Sequence, residues 1–186
     1  MTIIYSNSCD IDCSLLPCIW RDIENVNLIE IRPDSVNWEE TVDHAIENEN
    51  DTIIFCGHGS SYGLFFPDLN RGEYIVHQNN VNLIHARNVI CIWCYARDFC
   101  ERNNLHAFTT DMFITNMYEA SVHHLTIADP SITQLTINDT NSTYYNEINC
   151  FLRNNTPINE WCERIAQNIN INNEIDTYNR LSTYYI

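Results

Sequence analysis

The chain has 186 residues, enough for one domain with a proper core and too few for two comfortable ones. Apolar residues make up 45% and charged residues 18%, which excludes a disordered chain, and no apolar run approaches the length that crosses a bilayer. A formal charge of −16 argues against nucleic acid as a direct ligand, because phosphate recognition needs clustered Lys and Arg.

The acidity favours solubility, basic protein partners or mimicry of a polyanion. All nine basic residues are Arg, so the chain has no lysine. Between Met1 and Trp20 no basic residue occurs, and Asp10 and Asp12 interrupt what could have been an apolar signal core. A cytoplasmic protein is therefore expected. Nine cysteines is an odd count, and Cys56, Cys91 and Cys94 sit in apolar stretches, so reduced thiols fit better than a disulfide framework.

Taken in chain order, the first two thirds alternate short apolar runs with amphipathic stretches, the signature of βαβ units and a mainly parallel sheet. Strands are expected at Thr2–Tyr5, Asn27–Ile31, Thr52–Cys56, Val89–Trp93 and, less distinctly, His106–Thr110. The runs TIIFC and VICIW are continuously apolar, as strands covered on both faces must be. Asn37-Trp38-Glu39-Glu40 reads as a capping box opening a helix that ends near Asn48–Asn50. A short helix is expected over Asn80–Arg87 and another from Tyr95 to about Asn103. Beyond residue 114 the pattern turns helical: Ile114–Leu125, a stretch around Asn141–Leu152, and a helix opening at Pro157 behind Thr156. The tail Thr177–Ile186 reads as an edge strand. The fold class expected is α/β: a three-layer arrangement over residues 1–113, completed by helices over residues 114–186, as one domain.

Two of the apolar strands end in reactive residues. The third breaks into Gly57-His58-Gly59-Ser60-Ser61, and the fourth into Cys94-Tyr95-Ala96, where a helix begins. In a parallel sheet the carboxyl ends share one edge, where ligand sites form. If these strands are neighbours, His58 and Cys94 emerge side by side. A helix N-terminus favours thiolate, an adjacent imidazole serves as base and then acid, and Gly59 lets its backbone N–H approach a carbonyl, forming an oxyanion hole with the Cys94 N–H.

An apolar strand ending in His-Gly, followed by an apolar strand ending in Cys and small residues, resembles the caspase-like cysteine peptidases. The stretch G-H-G-S-S-Y-G-L-F-F-P-D is similar to the His block of the legumain and separase branches. The resemblance covers about residues 50–113. It implies a cysteine endopeptidase with Cys94 as nucleophile, His58 as base and Gly59 in the oxyanion role, needing no cofactor and acting on a peptide or protein. Some relatives orient the His with an Asn after the first strand, a place Asn7 occupies. The chain departs from the pattern at Ile92 and Trp93, where relatives usually carry an acidic residue or Gln, then Ala. An acidic pocket for a basic substrate side chain is therefore not expected from this element, and an uncharged P1 residue is. Ser60, Trp93 and Asp111 are further candidates for shaping the site.

Blander readings stand beside these. His58 and Cys94 could be a loop imidazole and a buried thiol of an unrelated α/β fold. Cys91-Ile-Trp-Cys94 matches C-x-x-C, but Cys91 lies inside an apolar strand, unlike a redox pair. Cys9, Cys13 and Cys18 lack a second ligand pair at zinc-site spacing, so no metal site is expected. His123 and His124 are adjacent on a helix and point apart, and Asp111 is most simply a solvated turn residue. No G-x-S-x-G elbow, P-loop or G-x-G-x-x-G is present. The competing functional class is a catalytically inactive caspase-like protein: an acidic interaction or inhibitor protein occupying a basic partner, as in a conflict between a phage or mobile element and its host. An active form could equally await an activating partner.

Overall fold

Short apolar runs flanked by polar punctuation become strands here because each run is only long enough to cross a sheet. A computed structural model describes residues 1–186. The chain runs through β1 (Thr2–Ser6), β2 (Asn27–Ile31), α1 (Trp38–Asn48), β3 (Thr52–Cys56), a small hairpin set β4 (Gly59–Ser60), β5 (Gly63–Phe65) and β6 (Tyr74–His77), then β7 (Asn88–Ile92), α2 (Ala96–Asn103) and β8 (Phe108–Thr110). It continues through α3 (Met117–Val122), α4 (Leu125–Ala128), α5 (Gln134–Arg153), α6 (Trp161–Gln167), α7 (Glu174–Leu181) and β9 (Thr183–Tyr185). The main sheet has the order β2-β1-β3-β7-β8-β9. Its first five strands are parallel, and β9 pairs antiparallel with β8.

Alternate residues of the central strands feed two cores, one on each face. Ile4, Ile53, Phe55, Val89 and Cys91 pack beneath α1, α2 and the small sheet, with Trp38, Phe66 and Phe99. Ile3, Tyr5, Ile54, Cys56, Ile90 and Ile92 pack against the Cys13–Ile19 turn, α5 and α6. Burial on both faces explains why β3 and β7 are apolar at every position after the first. The protein is thus α/β with a mainly parallel sheet covered on both sides. No helix is long and apolar enough to cross a membrane.

Several local expectations give way. Asn37 does not close a capping box: it sits at φ 53 and its side chain makes no cap bond, a left-handed conformation that Asn tolerates better than most residues. The helix expected over Asn80–Arg87 is one 3-10 turn, Val81–Leu83. The Asn80 side chain is drawn into local bonds instead, accepting from His77 N–H at 2.9 Å and donating to Ile75 O at 2.9 Å. The helical stretch after residue 114 begins only at Met117, where the Asn116 side chain caps it. The next helix is longer than expected because Thr133 caps it at Gln134. Behind Pro157 a 3-10 turn intervenes, so α6 starts at Trp161. The first half of the tail is helical, belonging to α7, which Asn173 caps, and only Thr183–Tyr185 forms the edge strand. The antiparallel set β4-β5-β6 has no counterpart in the sequence reading, because its strands run only two to four residues.

Buried amides knit the helical third together and, through Asn149, join it to the rest. Asn179 Oδ1 accepts from Ile114 N–H at 2.7 Å, and its Nδ2 donates to Ile114 O and to Asn141 Oδ1. Asn149 Nδ2 donates to the carbonyls of Ile19 and Arg21. These bonds satisfy loop backbone that no ladder reaches.

Candidate active site

The register of β3 against β7 decides where the reactive residues emerge. Cys56 lies opposite Ile92, and Gly57 N–H donates to Ile92 O at 3.2 Å, carrying the ladder one bond past β3. His58 and Cys94 each follow that pair by two residues, so they leave the carboxyl edge of the sheet abreast. The chain departs from β1 to β2 on one side and returns to β3 on the other, so the edge between β1 and β3 is a topological switch point, where crevices open. Gly57 is required there. It has φ +144, and a Cβ on it would lie 2.6 Å from Ser6 Cβ at the end of β1.

His58 and Cys94 line one small cavity of about 30 Å³ together with Asp12, Cys13, Ile92, Thr110 and Glu119. A concavity of about 740 Å³ lies elsewhere, among Trp38, Tyr62, Tyr74 and Arg102, and holds neither residue of the pair. No hydrogen bond joins Cys94 to His58. The His58 ring is instead held from the loop after β1, with Nε2 donating to Asp10 Oδ2 at 2.6 Å. Asp10 is itself fixed, accepting from Cys13 N–H at 3.1 Å and from Ser8 Oγ at 2.8 Å. Asp10, Cys13 and His58 offer ligand atoms that all lie within 4.8 Å of one another.

Electrostatics follow from this neighbourhood. The Cys13 thiol beside the ring pushes His58 up most, burial opposes it, and Asp10 adds to the rise, placing the imidazole at about 10. Cys13 makes no hydrogen bond of normal geometry to the ring, so the upward direction rests most firmly on the short Asp10 contact. The same contact and the Ser8 and Cys13 bonds hold the Asp10 carboxyl below its usual value, against burial. For Cys94, burial dominates and pushes the thiol up to about 12, Glu119, Asp12 and Cys13 adding to it while the Phe113 N–H works the other way. Cys94 does not gain a thiolate-favouring helix terminus, because α2 starts at Ala96 behind Tyr95 at φ 64. A bulky residue in that left-handed conformation marks a sharp, strained turn.

The residues singled out in the sequence separate into three groups. Gly59 lies beneath the Trp93 indole, and a Cβ there would come within 2.1 Å of the ring. Ser60 accepts the Trp93 indole N–H through its carbonyl at 3.1 Å. Trp93 is thus packed in the core against Phe99 and contributes only part of the cavity wall. Asn7 does not reach His58, because its Nδ2 donates to Glu30 Oε1 and its Oδ1 accepts from Cys9 N–H. Asp111 turns back on its own loop, accepting from Met112 N–H, while its N–H donates to Ser182 O. Asp10 was not anticipated as a site residue, and Cys13 was weighed only as a zinc ligand with Cys9 and Cys18 and set aside. Their only signal was position, in the loop after the strand that neighbours β3.

No protein-family model matches the chain, and no curated protein or solved structure matches it either.

Proposed function

We propose that the protein is a cysteine-nucleophile hydrolase of the caspase-like kind, cutting a peptide bond with Cys94 as nucleophile, His58 as base and Asp10 as the group that orients the ring. The observation carrying this reading is the register of β3 and β7, which delivers an imidazole and a thiol into one cavity at the switch-point edge of the sheet. With Nε2 committed to Asp10, Nδ1 is the nitrogen left for proton transfer. The Cys94 proton passes to His58 as the sulfur bonds to the scissile carbonyl carbon. That proton then goes to the leaving amine as the C–N bond breaks, and water hydrolyses the thioester. The Cys94 N–H has no hydrogen-bond partner in the protein, which leaves it for the developing oxyanion, with Gly59 the second candidate donor.

A second reading, an inactive acidic interaction protein that engages a basic partner, is favoured by the size of the cavity. At about 30 Å³ it admits one water and no side chain, so a substrate has to reach Cys94 from the solvent side, where the His58 side chain is 25% exposed.

A peptidyl electrophile that mimics an acyl donor separates the readings. The hydrolase should be labelled at Cys94, as found by peptide mass mapping, and Cys94→Ala or His58→Ala should each abolish that labelling. Modification confined to the exposed Cys9 and Cys150 excludes the hydrolase and leaves the interaction protein.

A further inference from the structure

We infer that Asp10, Cys13 and His58 form a zinc site. Distant parts of the chain meet here: Asp10 and Cys13 come from the loop after β1, and His58 from the end of β3. Their carboxylate, sulfur and imidazole ligand atoms converge within 4.8 Å of one another. One sulfur, one nitrogen and one oxygen are the donors zinc takes, and three protein ligands with an open fourth position are the pattern of a zinc site accessible to small molecules. The convergence is close to what the metal needs. Tetrahedral bonds of zinc to nitrogen and oxygen separate those two donors by roughly 3.4 Å, so the Nε2–Oδ2 contact of 2.6 Å would open by less than an ångström.

The surroundings are those of a supported site. Asp10 Oδ1 is steadied by the Cys13 N–H and Oδ2 by Ser8 Oγ, while the Tyr5 hydroxyl donates to Cys13 O at 3.0 Å and holds the ligand segment against the sheet. Such outer partners fix ligand orientation before a metal arrives. The cavity of about 30 Å³ adjoins Cys13 and His58 and has room for the single water that would complete the coordination. Nearby Asp12 and Glu119 line the same cavity and add negative charge that attracts a dication. On binding, the thiol proton of Cys13 and the proton between His58 and Asp10 pass to solvent, and three metal–ligand bonds replace them.

The site deepens the hydrolase reading and, in its inhibitory consequence, rests on it: zinc on Nε2 fixes the remaining ring proton on Nδ1, the nitrogen that has to accept from Cys94. Bound zinc should therefore hold the enzyme off, and a chelator should release it.

Titration of the intact metal-free protein with Zn²⁺ followed calorimetrically, and with Co²⁺ followed by absorption, tests the site directly. One equivalent of metal should bind per chain, and Co²⁺ should give a thiolate charge-transfer band. Cys13→Ser should abolish that band, Asp10→Asn, which removes a ligand, should weaken zinc binding by at least the roughly 10- to 100-fold that loss of an outer partner costs, and Cys94→Ala should change neither. Absence of stoichiometric binding, or a cobalt band that survives Cys13→Ser and so belongs to other thiols, overturns the proposal. Because the band is read without any substrate, its presence with no hydrolysis under any condition would sink the hydrolase and leave the metal site standing. Hydrolysis with no band would do the reverse.

Discussion

In metal-free protein, hydrolysis by Cys94 should rise about tenfold for each pH unit from neutrality towards pH 10. The attacking pair must hold one proton between the sulfur and the imidazole, whether written as thiol with neutral ring or thiolate with cationic ring. At rest it holds two, because the ring is raised to about 10 and the thiol to about 12. The proton that leaves first is the one with the lower pKa, so the reactive form appears as pH climbs through the His58 value and is depleted tenfold per unit below it. Cys13 and Asp10 both raise His58, and Asp10 does so through a direct bond. Asp10→Asn should therefore move the rise to lower pH while also loosening the ring, and Cys13→Ala should move it the same way. The linked stability runs oppositely: a raised imidazole contributes fully below its unfolded value near 6.5, and the contribution is lost as pH passes through about 10. A profile of kcat/KM in the presence of chelator, with circular dichroism at each pH, checks this. A profile that is flat, or that peaks near neutrality in the unmodified protein, rules out a cationic resting His58 as the base.

Arg180→Ala should be among the most destabilising single changes in the chain, at about 3–5 kcal/mol. The side chain is 3% exposed, with Nε donating to Asp176 Oδ1 at 2.7 Å and Nη1 donating to Glu147 Oε2. Burial acts against the cation, and the two carboxylates more than reverse it. Removing the arginine leaves two carboxylates facing each other in the joint between α5 and α7, each without its counterion. A loss of that size is a large fraction of the roughly 5–15 kcal/mol that holds a domain folded. Arg164→Ala is the contrasting case. Its pair with Glu160 is exposed on both sides, and such pairs are worth about 0–1 kcal/mol. Urea denaturation of both variants at unchanged m-value reads the difference. Equal, small shifts in the two would mean that the α5–α7 joint does not depend on the buried charge.

The parallel sheet was legible because its central strands are short and almost wholly apolar, so TIIFC and VICIW admit few other readings. That legibility extends to the site as far as the strands do: the neighbours β3 and β7 place His58 and Cys94 where the apolar runs imply. It stops at the loops. The ring's partner is Asp10 rather than Asn7, and nothing in the local sequence distinguishes them, since the choice depends on how the segment after β1 folds over the switch point. The thiolate expected at Cys94 fails for a related reason. A single left-handed residue, Tyr95, separates the sulfur from the start of α2, and the acidic residues that line the cavity come from segments distant in sequence. Helix ends were misjudged where an Asn side chain chose between capping and bonding its own loop, as Asn80 and Asn173 do in opposite ways, whereas at Asn37 the helix bounds hold and only the expected cap bond is missing.

The buried amides have a further consequence for a chain of net charge −16. Asn141, Asn149 and Asn179 tie the helical third to loop backbone through neutral bonds, so neither added salt nor protonation of carboxylates weakens that joint directly. Counterions then act mainly on the repulsion among surface carboxylates, which they damp over a distance of about 8–10 Å at physiological strength. At this joint cohesion and repulsion are thereby uncoupled, and a rise in ionic strength relieves the second while leaving the first nearly untouched.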